Sequence, residues 1–193
     1  KMRTTPTGRW MEFTAVQHFS LNLPGFVWQT KVSAFPGVQL LGRDKLKDGH
    51  GEMLIKLFSL FPVANDKGNE KVDTGSLLRY LGEICWFPSA AKASYIKWEE
   101  AGETSAVANL RWNELKVNGK FNFSPEGELL SFEALRYYGS GKGAKPQKWH
   151  ISILENKNFD GILVPSKCRV TWKLPEGDFT WMELEITALR YNS

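Results

Sequence analysis

Closely spaced turns divide this chain into about ten strand-like segments, and a single amphipathic helix signal interrupts them. That pattern limits the fold more than any other feature. Apolar and polar residues alternate over residues 11–19, 26–32, 106–112, 132–137, 149–153, 168–174 and 182–189. Shorter runs at 38–41 and 95–99 read the same way, and the nearly continuous apolar run at 53–61 suits a strand covered on both faces. Residues 43–51 and 65–70 read as polar turns. Asn118-Gly119 reads as a hairpin turn between 115–117 and 120–123. Short connections favour antiparallel neighbours. A sheet of about ten long strands cannot stay flat, because its twist makes it curl, split or close. The expected architecture is therefore mainly β: one strongly curved antiparallel sheet, a half-open or closed barrel, with one principal helix packed in its concave side. At 193 residues a single domain is the simplest reading, and it needs no disulfide or metal staple.

The helix signal covers residues 74–88, with Asp73 or Thr74 as cap and Pro88 as its end or kink. Leu77, Leu78, Leu81, Ile84 and Cys85 share one side at the helical period; Arg79, Gly82, Glu83 and Trp86 share the other. An ordinary outer face would carry Lys, Glu and Ser. This one carries an i,i+4 ion pair, a bare glycine and a tryptophan, so it is expected to meet something other than bulk water. Arg79 and Glu83 are either a plain surface pair or, beside Trp86, a clamp for a polar ligand group.

Aromatic residues make up 13% of the chain, with 8 Trp, which suits either ordinary core packing or the walls of a wide apolar cavity. The net charge of +4 is spread along the sequence, and its densest stretch, residues 142–148, reads as a loop. Scattered charges make no phosphate-tracking stripe, so nucleic acid is not an expected partner. His18, His50 and His150 show no metal-ligand spacing, and neither a metal nor another cofactor is expected. Glu99-Glu100 and the alternating Glu183 and Glu185 read as solvated strand faces, with acid–base work as the alternative. Residues 139–143 are Gly-rich but lack the ending of a phosphate loop. Cys85 and Cys168 read as small core residues, and a bridge between them has no support in the sequence. No run is long enough to span a bilayer. The chain starts at Lys1 without an initiator Met, as a fragment or processed product would.

The segment Arg79-Tyr80-Leu81-x-Glu83-x-x-Trp86-Phe87-Pro88 resembles the signature of a bacterial family of unknown function. Gly8-Arg9-Trp10, Phe13-x-Ala15-x-Gln17, Phe26-x-Trp28, Asp44 with Gly49-x-Gly51-x-Met53, Trp98-Glu99, Arg136-Tyr137, Trp149, Gly161-x-x-x-Pro165 and Trp172 follow in that family's order. The resemblance covers essentially the whole chain. It implies a membrane link, through a hydrophobic segment upstream in the full-length protein, and no activity to carry over. The pattern is also similar to lipoprotein carriers, whose curved sheet holds an apolar cavity plugged by helix.

These readings converge on a non-enzymatic protein holding an apolar or amphiphilic small molecule between sheet and helix. Trp28, Trp86, Trp98 and Trp149 would form the wall, and Arg79 with Glu83 and Arg136 would meet the polar end. Two alternatives stand beside it: an enzyme using Glu83 or a histidine on a similar ligand, and a scaffold whose exposed aromatic face docks a protein. The expected setting is a soluble domain, membrane-associated or in the cell envelope in the full-length protein; the sequence does not name the compartment.

Overall fold

A computed structural model describes residues 1–58, 60–139 and 143–191. Among them are twelve strands and one α-helix. The first five strands are β1 (Phe13–Ser20), β2 (Gly25–Phe35), β3 (Val38–Lys47), β4 (His50–Leu57) and β5 (Phe61–Lys67). The helix α1 (Glu70–Glu83) follows, then two short 3-10 turns, Ile84–Trp86 and Pro88–Lys92. The remaining strands are β6 (Ile96–Glu100), β7 (Ser105–Trp112), β8 (Leu115–Phe123), β9 (Leu129–Tyr138), β10 (Lys145–Phe159), β11 (Ile162–Leu174) and β12 (Gly177–Glu185).

The mainly β, antiparallel expectation holds, but the single sheet does not. The strands form two sheets, β1 to β5 and β6 to β12, each in sequence order, and neither closes into a barrel. Within each group short turns pair every strand with the next. The helical segment between Lys67 and Ile96 ends that run of hairpins, so β5 and β6 become edges of different sheets.

Helix α1 lies between the sheets, touching β3 and β4 on one side and β8 and β9 on the other. That explains its unusual composition. Leu77, Leu78, Tyr80 and Leu81 are buried, and so are Gly82 and Glu83 on the side expected to face outward. Each fully buried leucine there contributes roughly 1.5–3 kcal/mol. Gly82 is bare because Phe132 of β9 rests on it: a Cβ there would stand 2.9 Å from the Phe132 ring.

The helix begins earlier than expected. Gly68 takes a positive φ of 69°, and Asn69 caps the helix by accepting from the Val72 N–H at 3.0 Å. Asp73, an expected cap, instead accepts from the Gly51 N–H at 2.7 Å and ties the helix to β4. Pro88 does not end α1; it opens the second 3-10 turn, where its missing N–H is harmless.

Two expected turns and one expected strand also differ from expectation. Residues 43–51 are mostly strand, with only Asp48-Gly49 turning, both at positive φ. Asn118-Gly119 lies inside β8, and the real hairpin turn is at Asn113-Glu114. Gly119 is there for space, since a Cβ would fall 2.3 Å from Phe132. The run at 53–61 breaks at Leu57, and Met53, Phe58, Leu60 and Phe61 are exposed rather than covered on both faces. Within the Gly-rich 139–143 and basic 142–148 stretches, residues 140–142 lie outside the described residues.

Candidate functional site

Register builds the polar centre of the molecule. Gln17, Trp28 and Asp44 are direct partners across β1, β2 and β3, so they share the face turned to α1. The helical period sets Arg79 and Glu83 over that row. Arg79 Nε donates to Glu83 Oε1 at 2.8 Å, Nη1 to Asp44 Oδ2 at 2.8 Å, and Nη2 to Gln17 Oε1 at 3.1 Å. Gln17 Nε2 donates to the other Glu83 oxygen at 2.7 Å. The guanidinium carbon also lies 4.8 Å from the Phe26 ring centre and 4.9 Å from that of Trp28. Burial works against the Arg79 charge, but Glu83 and Asp44 outweigh it and hold its pKa above the usual value. Asp44 is pushed up by burial, which Arg79 and then Arg136 only partly offset.

Arg136 reaches the helix from β9 and packs on Gly75, one turn before Arg79 on the same helix face. A Cβ on Gly75 would stand 3.5 Å from its Nε, so the glycine leaves the guanidinium against bare helix backbone. Its guanidinium carbon lies 4.8 Å from the centre of the Trp149 ring. Among the described residues it has no hydrogen bond and no ion-pair partner. Burial, and then the charge of Arg79, push its pKa down to about 10, so it stays a cation at neutral pH. Arg136 lines a groove of about 190 Å³ with Thr74, Gly75 and Leu78 of the helix, Leu135 and Tyr137 of β9, and Pro146 of β10. The groove therefore joins one cation without a partner among the described residues, the hydroxyl-bearing Thr74 and Tyr137, and otherwise apolar walls.

The structure thus brings Trp28, Arg79 and Glu83 together against the five-stranded sheet, and Arg136 and Trp149 together on the seven-stranded sheet, one helical turn apart along one face of α1. Trp86 and Trp98 belong to neither group. Trp86 is buried and donates to the Pro165 carbonyl at 2.9 Å. Trp98, 39% exposed, donates to the Ala91 carbonyl and lines a separate open cleft of about 550 Å³ with Glu99, Glu100 and Glu103. Gln17 and Asp44 were not singled out from sequence as site residues. Their signal was two strands with matching alternation, one of them hidden in what reads as a turn.

Both Glu83 oxygens are engaged, and Glu183 is paired with Arg169 and Lys1. His50 lies 3.5 Å from Asp73 and His150 3.9 Å from Glu133. Among the described residues no three His, Cys, Asp or Glu side chains gather as a metal site would require. Cys85 and Cys168 are both free thiols, and burial raises the pKa of each.

Fold and site define a two-sheet antiparallel β protein in which a clamped helix carries a neutralised arginine and packs against a second arginine, on β9, that has no partner among the described residues. The chain belongs to a family of unknown function, DUF6920, whose sequence profile matches residues 1–191. No curated protein and no solved structure matches the chain. Among the described residues no helix is long and apolar enough to cross a membrane.

Proposed function

We propose that this chain is a non-enzymatic binding protein for an amphiphile with an anionic end, held in the groove between α1 and β9–β10. The observation that carries this reading is Arg136, a half-buried cation with no partner among the described residues, opening into a groove whose other walls are mostly apolar. A buried charge is normally paired, so a carboxylate or phosphate entering the groove would supply what the fold leaves out. The site lies beside the helix rather than beneath it, because Leu77, Tyr80, Leu81 and Phe132 fill the space beneath. A volume of about 190 Å³ takes a headgroup and a few methylenes. The rest of the ligand would run over the exposed Leu135 and Tyr137. In this reading Arg136 meets the ligand, and the buried Trp149 stacks behind its guanidinium. Trp28, Arg79 and Glu83 fix the helix that forms one wall, and Trp86 and Trp98 stand apart. A carrier-like mode of action, with the apolar part sheltered by sheet and helix, belongs to the same proposal.

Titration with decanoate and decanol, followed by tryptophan fluorescence, tests it. Decanoate should bind about 10–100-fold more tightly than decanol, the range of a charge-assisted hydrogen bond. Arg136→Gln should erase that preference. Equal binding of the two, or an unchanged decanoate affinity in Arg136→Gln, would overturn the reading.

A further inference from the structure

Trp28 and Asp44 point from the five-stranded sheet toward α1, so the residues next to them along each strand point away. On that outer face the register gathers cations that lie far apart in sequence. Lys31 and Lys56 both flank Leu41 in one row, Arg43 occupies the next, and Lys45 shares a third row with Glu52 and Lys67. Lys47 continues the same alternation. Glu52, bonded to Arg43 and Lys45, is the one carboxylate on this face of β1–β5. The face is therefore locally positive, with six cations against Glu52 on the strands and Glu12 just before β1.

At one end of the same sheet the β2–β3 and β4–β5 turns lie side by side, joined by the Phe58 N–H donating to the Gln39 carbonyl at 3.3 Å. Four large apolar side chains protrude there: Phe35 is 65% exposed, Phe58 50%, Leu60 73% and Phe61 64%. Arg9 stacks on Phe35, 5.0 Å from its ring centre, and brings another cation to this end. We infer that this face and its hairpin ends dock on an anionic lipid bilayer. The cations match the charge of acidic headgroups, and the protruding rings and leucine suit the boundary between headgroups and acyl chains. A nucleic acid matches this surface less well. The basic face carries no Trp or Tyr on which bases could stack, and the apolar ends would remain in water.

Flotation with vesicles tests the inference. The intact chain should float with phosphatidylcholine vesicles containing one-third phosphatidylserine, and not with phosphatidylcholine alone. Binding should fall between about 0.1 M and about 1 M salt. Lys31→Gln with Lys56→Gln should lower partitioning about 30-fold, from two surface cations. Leu60→Ser with Phe61→Ser should lower it while keeping its salt dependence, and Lys116→Gln, an exposed cation of the seven-stranded sheet, should float like the unchanged protein. No binding to the acidic vesicles, equal binding to both kinds, or displacement from them by duplex DNA would overturn it. So would a self-associated form lost in the Leu60/Phe61 variant when that variant floats unchanged.

Discussion

Arg79 stands on α1 and Arg136 packs on the same helix face one turn earlier, and removing them should have different consequences. Arg79→Met leaves Asp44 and Glu83 without their cation. Their side chains are only 27% and 10% exposed, so water restores little of what is lost. Breaking a buried pair from one side costs about 3–5 kcal/mol, and the partial exposure of Asp44 points to the lower end, about 3 kcal/mol. Arg136→Met removes a cation with no partner among the described residues. It gives up about 1 kcal/mol of stacking on Trp149 but also ends the cost of holding that charge half-buried. The net change should stay within about 1 kcal/mol, in either direction. Urea unfolding followed by tryptophan fluorescence reads both. With a slope of about 2 kcal/mol/M, Arg79→Met should lower the midpoint by about 1.5 M and Arg136→Met should move it by less than about 0.5 M. If Arg79→Met fails to fold, Arg79→Lys keeps the charge without the planar fork and should lose about 1–2 kcal/mol. An Arg136→Met loss as large as that of Arg79→Met would refute the reasoning, because it would mean that Arg136 is also tied into a stabilising network.

Gly119→Ala places a methyl 2.3 Å from the Phe132 ring and should destabilise by about 2–3 kcal/mol in the same assay; adding Phe132→Leu should return part of that loss, so the double variant is more stable than the sum of the singles predicts. His150 has its pKa lowered by burial first and by Lys173 next, with Lys148 adding to the shift and Glu133 and Asp178 opposing it. Its folded form therefore resists protonation more than its unfolded form, and stability should fall as pH drops below about 6.5 toward the lower folded value. His150→Gln should flatten that part of a stability-versus-pH curve measured by thermal unfolding.

The strands were legible in the sequence wherever one face is buried and the other wet, as in β7 and β11, because alternation then reports the pleat directly. It failed where tertiary packing set the residue. Gly119 looked like a turn residue, but the Phe132 ring requires it. Asp44 was hidden in an apparent turn, because a polar residue on an inward face mimics a loop until its partner Arg79 is seen. The split into two sheets was not legible either. Alternation gives the number of faces, not which strand lacks a neighbour. Arg79 with Glu83 was readable from i,i+4 spacing, but the two further groups that complete the network come from other strands. The basic face escaped notice for the same reason: its cations are scattered in sequence and collected only by register.

The contrast between the two arginines follows from geometry rather than from charge balance. Around the middle of α1 two guanidiniums and two carboxylates sum to zero. Planar hydrogen bonding nevertheless assigns both carboxylates to Arg79, with Gln17 tying up the remaining Glu83 oxygen. Asp44 and Glu83 still favour the Arg136 charge through space, but Arg79 works against it, and burial is the largest influence on it. Near-neutrality on the scale of the cluster therefore coexists with an unmet cation at one atom group. A purely structural helix clamp would not need that cation: the clamp is complete with Arg79, and a hydrocarbon at position 136 would pack on Trp149 without the charge. In the proposed function an anion arriving from outside supplies that partner, and the bare backbone at Gly75 leaves room for its approach.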